Sequence, residues 1–292
     1  MTTRFLQLDV FCDRPGGGNP LGVVIGADDW PIERMQSLAA WTDLVETTFL
    51  LPPEAPGASY RLRIFTPSRE IPFAGHPSIG SARAALATGF VQPVDGQLVQ
   101  QCGAGLIPIR VEGDTTAPQL FLRSPDARVV TRGLDADPQL SFVLGDRQLG
   151  ALGIAQVDGG RRWWMAELAS EAQVRSWHPN HDAIAALARA SDSVGLCVFA
   201  RCQDQPFELV VRAFPGGVGI IEDPASGAAN GLIAAFIAQC ETTGPLAHGY
   251  RVSQGREMGK DARIDVRIDP DGSNWVGGQA HIVVRGDVDW PA

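Results

Sequence analysis

The sequence predicts a mixed α/β chain of the α+β kind built from two similar halves, and three observations predict it. Segments with strand-like alternation dominate and are interspersed with helical stretches. A strand–turn–helix unit occurs twice: Gly75-His-Pro-Ser-Ile-Gly-Ser-Ala is echoed by Glu222-Asp-Pro-Ala-Ser-Gly-Ala-Ala. Pro77, Gly80 and Ala82 match Pro224, Gly227 and Ala229 at a spacing of 147 (77 to 224, for instance), and upstream Arg63-Ile-Phe-Thr-Pro is loosely mirrored by Arg212-Ala-Phe-Pro at a slightly different one. The matching context points to an ancient duplication, and 292 residues suffice for two domains of ordinary size.

Residues 5–11 alternate apolar and polar side chains as a half-buried strand should, the Gly16-Gly-Gly-Asn-Pro turn follows, and 21–25 reads as a second strand. Pro31 suits the first turn of a helix running to about Trp41. Strands are expected at 47–51 and 60–65, then a helix at 77–86 closed by Gly89, a hairpin over 98–111 and a strand at 119–123. Later strands are expected at 140–143, 162–165, 194–199, 207–214, 263–268 and 280–285, with helices at 183–189 and 228–240. The halves are placed at 1–118 and 119–280, with a terminal strand, 281–292, returning to the N-terminal half.

Apolar residues make up 45% and charged residues 20%, ample for a packed core. The net charge of −9, with no basic run, argues against a nucleic-acid partner, because phosphate binding needs clustered Lys and Arg. The first acidic residue, Asp9, comes too early for a signal peptide, and the longest apolar stretch, 231–240, is too short to cross a bilayer. The five cysteines show no CxxC spacing and read as reduced, inert thiols of a cytoplasmic protein.

Two helix starts preceded by small residues present unpaired backbone N–H groups and a partial positive charge, which suit a carboxylate or an enolate-like anion; ordinary tight turns capping two core helices would look the same. No phosphate-loop, dinucleotide, HExxH or GxSxG pattern is present. His178 and His181 lie in an expected loop without further ligands, so no metal site is expected. Glu46 has apolar neighbours in Leu44, Val45 and Phe49, and a poorly solvated carboxyl there would both take and return a proton. On residue pattern alone, a solvent-facing glutamate is the commoner outcome.

Gly18-Asn-Pro-Leu-Gly-Val-Val, Val45-Glu-Thr-Thr-Phe, Arg63-Ile-Phe-Thr-Pro, Pro72-Phe-Ala-Gly-His-Pro, Glu222-Asp-Pro-Ala-Ser-Gly-Ala-Ala and Gln254-Gly-Arg-Glu-Met-Gly, in that order, resemble the phenazine biosynthesis PhzF-like family across nearly the whole chain. The resemblance implies a diaminopimelate-epimerase-like fold: two pseudo-symmetric halves, each a curved, mostly antiparallel sheet or barrel around a central helix, with the active site between them. It further implies no metal or organic cofactor, a homodimer, and a small, anionic substrate. Neither turn holds a cysteine, so two-thiol racemisation is not expected. The family's acid/base glutamate carries over to Glu46, and its partners to His76 and Asp223; Asn19, Gly75, Gly227, Ala228 and Gln254 are the expected substrate-binding positions. Ala228 stands where family members often carry serine, so the dihydro-hydroxyanthranilate substrate of the phenazine pathway is not carried over. The expectation is a cofactor-independent isomerase using Glu46. The alternatives are a non-catalytic small-molecule-binding or interaction protein, and an epimerase or racemase pairing Glu46 with Asp223.

Overall fold

The computed structural model describes residues 2–114 and 116–291. The chain divides into two compact units, residues 1–123 with 277–292 and residues 124–276. No helix among the described residues is long and apolar enough to cross a membrane.

In the first unit the order is β1 (Arg4–Val10), β2 (Asn19–Ile25), α1 (Ile32–Thr42), β3 (Thr47–Leu51), β4 (Tyr60–Phe65), β5 (Glu70–Ile71), α2 (Gly75–Ala87), β6 (Gln97–Cys102), β7 (Gly105–Glu112) and β8 (Gln119–Arg123), joined by the last strand of the chain, β17 (Ala280–Asp287). β17 pairs antiparallel with β1, and β8 with β7. From β1 the ladders run antiparallel to β2, parallel to β3, antiparallel to β4, parallel to β6 and antiparallel to β7.

The second unit contains β9 (Arg128–Arg132), α3 (Leu140–Leu144), β10 (Leu149–Asp158), β11 (Arg162–Leu168), α4 (Glu171–Arg175), α5 (His181–Ala190), β12 (Leu196–Arg201), β13 (Leu209–Phe214), α6 (Gly227–Cys240), β14 (Gly249–Gln254) and β15 (Ala262–Ile268); β16 (Asn274–Gly278) follows. Its ladders repeat the order of the first: β10 antiparallel to β11, β11 parallel to β12, β12 antiparallel to β13, β13 parallel to β14, β14 antiparallel to β15. Two units with the same sequence of pairings, each with a helix between its fourth and fifth matched elements, are pseudo-symmetric halves.

Each unit surrounds one helix. Ten residues of α2, from His76 to Leu86, are buried, and α6 is buried without interruption from Ala229 to Ile237. A helix enclosed on all sides shows no amphipathic stripe and favours small residues. Gly80 illustrates the constraint: a Cβ there would lie 2.4 Å from Leu21 and 2.8 Å from Val10.

The ladders also correct the register of the internal echo. Thr47 pairs with Phe65 as Leu196 pairs with Phe214, and Ile64 pairs with Ile71 as Ala213 pairs with Asp223. The helices begin at Gly75 and Gly227, a spacing of 152 and not 147. The repeated unit is therefore Glu70-Ile-Pro-Phe-Ala-Gly and Glu222-Asp-Pro-Ala-Ser-Gly, in which Asp223 matches Ile71 and His76 matches Ala228. The segment 140–143, expected as a strand, is the helix α3: its buried residues Leu140, Val143 and Leu144 follow helical spacing. His181, expected in a loop, opens α5, where the Asn180 side chain accepts a hydrogen bond from the Ala183 N–H.

Candidate active site

Glu46 sits immediately before β3, and its carbonyl accepts a hydrogen bond from the Gly22 N–H of β2 at 3.3 Å. Parallel pairing of β2 with β3 thus fixes the backbone on which the carboxyl stands. Only 9% of Glu46 is exposed. Its Oε2 lies 3.3 Å from Nε2 of His76, the second residue of α2, which is 7% exposed. On the other side of the ring, Asn19 Nδ2, from the first residue of β2, lies 3.4 Å from Nδ1. Burial lowers the pKa of His76 to about 3, with a backbone contact to Pro20 pulling the other way. The imidazole is therefore neutral at ordinary pH, and its 3.3 Å contact with Glu46 is a close polar approach and not an ion pair. Behind the ring α2 is tied to the sheet by polar contacts: Gln100 Nε2 donates to Ser78 Oγ at 2.9 Å, and the Ser81 and Thr48 hydroxyls lie 2.9 Å apart.

The second unit holds the other expected residues. The Asp223 N–H donates to Ala213 O at 2.9 Å, and its Oδ1 accepts from the Ala225 N–H at 3.1 Å. Burial raises the pKa of its carboxyl, with the neighbouring Glu222 adding to the rise and the contacts to Ala225 and Ser226 opposing it. Ser226 caps α6 by accepting from the Ala229 N–H; Gly227 and the exposed Ala228 are the helix's first two residues. Gln254, at the end of β14, is 1% exposed. It donates to Asp223 O at 2.7 Å and accepts from Asn230 Nδ2 at 3.0 Å and the Ser226 N–H at 3.4 Å. Its amide is thus occupied in joining the Asp223 turn to the start of α6.

The structure brings Asn19, Glu46, Gly75 and His76 together in the first unit, and Asp223, Gly227, Ala228 and Gln254 in the second. Asn230 and Gln100 were not singled out in the sequence, where buried amides carry no distinctive spacing. Among the described residues, no group of three or more His, Cys, Asp and Glu side chains is placed to hold a metal ion. The cysteines are unpaired with one another, and burial raises the pKa of Cys12 and Cys197, as suits inert thiols.

A family model for phenazine biosynthesis-like proteins (PhzC-PhzF) matches residues 8–286. Antisense-enhancing sequence 1 of Schizosaccharomyces pombe is 30% identical over 97% of this chain and 97% of its own length. The trans-2,3-dihydro-3-hydroxyanthranilate isomerase of Pseudomonas aeruginosa is also 30% identical, over 91% of this chain and 90% of its own. Among solved structures, a PhzF-family phenazine biosynthesis protein of Bacillus anthracis superposes with a TM-score of 0.82, covering 99% of each chain at 24% identity. The fold is that of the PhzF-like, diaminopimelate-epimerase-like proteins, and the chain belongs to the phenazine biosynthesis-like (PhzC-PhzF) family.

Proposed function

We propose that this chain is an isomerase that relocates a proton within a small anionic metabolite, with Glu46 as the group that takes the proton from one carbon and returns it to another. The observation that carries the reading is the buried Glu46–His76–Asn19 array. A carboxyl that water barely reaches lies beside a neutral imidazole, and that imidazole is held from its far side. A neutral imidazole carries one donor and one acceptor nitrogen, so its two tautomers can serve Glu46 in either protonation state of the carboxyl. Asp223, whose carboxyl pKa burial raises, is assigned to a polar group of the substrate. The backbone N–H groups at the starts of α2 and α6 are assigned to its negative charge. The isomerase names of several relatives support the reaction class.

The test follows a set of small carboxylated compounds by NMR in D₂O, beginning with trans-2,3-dihydro-3-hydroxyanthranilate, the compound in the relatives' names. Wild-type protein should convert at least one of them with uptake of solvent deuterium. Glu46→Gln, which keeps the shape, should lower turnover by about 10²–10⁴-fold, the usual worth of a general acid/base. A Glu46→Gln protein that turns over and exchanges at the wild-type rate would remove Glu46 from the mechanism.

A second reading, a binding protein without catalysis, draws on Ala228, which offers no hydroxyl at the start of α6. It predicts saturable binding of the compound with neither conversion nor deuterium uptake.

A further inference from the structure

The return of the chain from β13 to Asp223 is held by an ion pair that the reaction as described does not use. Arg212, on β13, is 5% exposed. Its Nε and Nη2 donate to Glu222 Oε1 and Oε2, both at 2.9 Å, and its Nη1 donates to Trp177 O at 2.5 Å and Val174 O at 3.3 Å. The guanidinium also stands over the Phe214 ring, 5.0 Å from its centroid. With every face engaged, it cannot turn without breaking several contacts. Next along each strand, the Asp223 N–H donates to Ala213 O. Two consecutive residues of β13 therefore grip two consecutive residues of the returning chain, one pair through side chains and the next through backbone.

The start of the returning segment is held by the Gly217 N–H, which donates to Val194 O at 2.8 Å, and its end by this grip. Residues 215–222 include a 3₁₀ turn at Gly216–Val218, and Ile220 and Ile221 point to solvent. A buried ion pair is a poor means of gaining stability, since an apolar pair of similar volume does as well or better. Its two parallel hydrogen bonds do fix direction, which an apolar contact does not. The first unit offers an internal comparison. Arg63 and Glu70, at the matching positions, make the same bidentate contact at 2.8 and 2.7 Å, but their side chains are 23% and 34% exposed and the next residue is Ile71. The pair is buried, and tied to backbone carbonyls of a second element, only where an acid follows it; Arg63 reaches the Met35 thioether of α1 instead, at 3.6 Å.

We propose that Arg212 and Glu222 are positioning residues that aim the Asp223 carboxyl. The inference rests on the role given to Asp223 above, and the test separates the two. Arg212→Met/Glu222→Leu replaces the pair by apolar side chains, Glu222→Gln and Arg212→Lys weaken it, and Glu70→Gln is the matched change in the first unit. Melting temperature, hydrogen exchange at the Asp223 and Ala225 amides, and turnover of trans-2,3-dihydro-3-hydroxyanthranilate are measured for each, alone and combined with Asp223→Asn.

The apolar double variant should melt at or near the wild-type temperature while the two amides exchange about tenfold faster or more, because their acceptors are no longer held in place. Turnover should fall roughly tenfold to a hundredfold, as small misplacements of a reacting group do, and should not fall further in the Asp223→Asn background. Glu70→Gln should leave both amides at their wild-type rates. Unchanged exchange in the apolar double variant overturns the proposal whether or not the compound is a substrate. So does a Glu222→Gln loss of turnover that persists in full on top of Asp223→Asn. Faster exchange together with an Asp223→Asn protein of full activity upholds the positioning role and removes Asp223 from the reaction.

Discussion

The two units share a backbone plan but carry different polar side chains on it. Before β3, Glu46 accepts the Gly22 N–H through its carbonyl; before β12, Gly195 accepts the Trp164 N–H in the same way. The first junction carries a buried carboxyl, and the second has no room for any side chain, since a Cβ on Gly195 would lie 2.0 Å from Phe214 O. At the helix starts His76 of one copy corresponds to Ala228 of the other, and ahead of them Ile71 corresponds to Asp223. The two copies thus share the ladders and the Arg–Glu pair, while Glu46, His76 and Asp223 each occur in one copy only.

Three measurements can break or sharpen this comparison. The largest effect should come from Gly195→Ala, which drives a methyl group into a carbonyl oxygen of the neighbouring strand. It should lower stability to denaturant by about 3 kcal/mol or more; wild-type stability would mean that the two junctions are not built alike.

Next is the dependence of stability on pH. Folding holds His76 neutral down to about pH 3, whereas the unfolded chain takes up a proton below the ordinary value of 6.5. Proton uptake therefore favours unfolding in that window, and stability should fall by about 1.4 kcal/mol for each pH unit below 6.5. The His76→Gln protein should lose this slope, and a parallel profile would show that His76 is not neutral in the fold. Asp223 acts with the opposite sign. Its folded pKa is raised above 3.8, so it costs stability as pH rises through that value, and Asp223→Asn should remove that cost.

The smallest effect should come from the exposed pair of the first unit. Glu70→Gln should cost less than about 1 kcal/mol, as water already screens the Arg63–Glu70 contact.

Much of the fold was legible because its signals are local. The strands at 47–51, 60–65 and 119–123 fall where the sequence reading places them, and α6 begins within one residue of expectation. The misreadings have physical causes. The run 140–143 is too short for periodicity to separate a strand from a single helical turn. β10 carries Gly150 and Gly153, which interrupt its alternation. The echo was aligned on Gly-His-Pro and Glu-Asp-Pro, a match of residue types. The true register follows the strand pairing, to which proline and glycine contribute little.

By itself, the sequence determined that the chain carries a duplicated α/β plan of the PhzF-like kind and that Glu46, His76 and Asp223 are the residues worth examining. Those conclusions rest on patterns along the chain. Only the tertiary structure decided that Glu46 meets a neutral His76, and that Gln254 is occupied as a brace. It also decided that the Arg–Glu motif is buried in one half and wet in the other. Each of these depends on which groups are shielded from water and on contacts between residues distant in sequence. Neither desolvation nor long-range pairing is written into the local pattern of a chain.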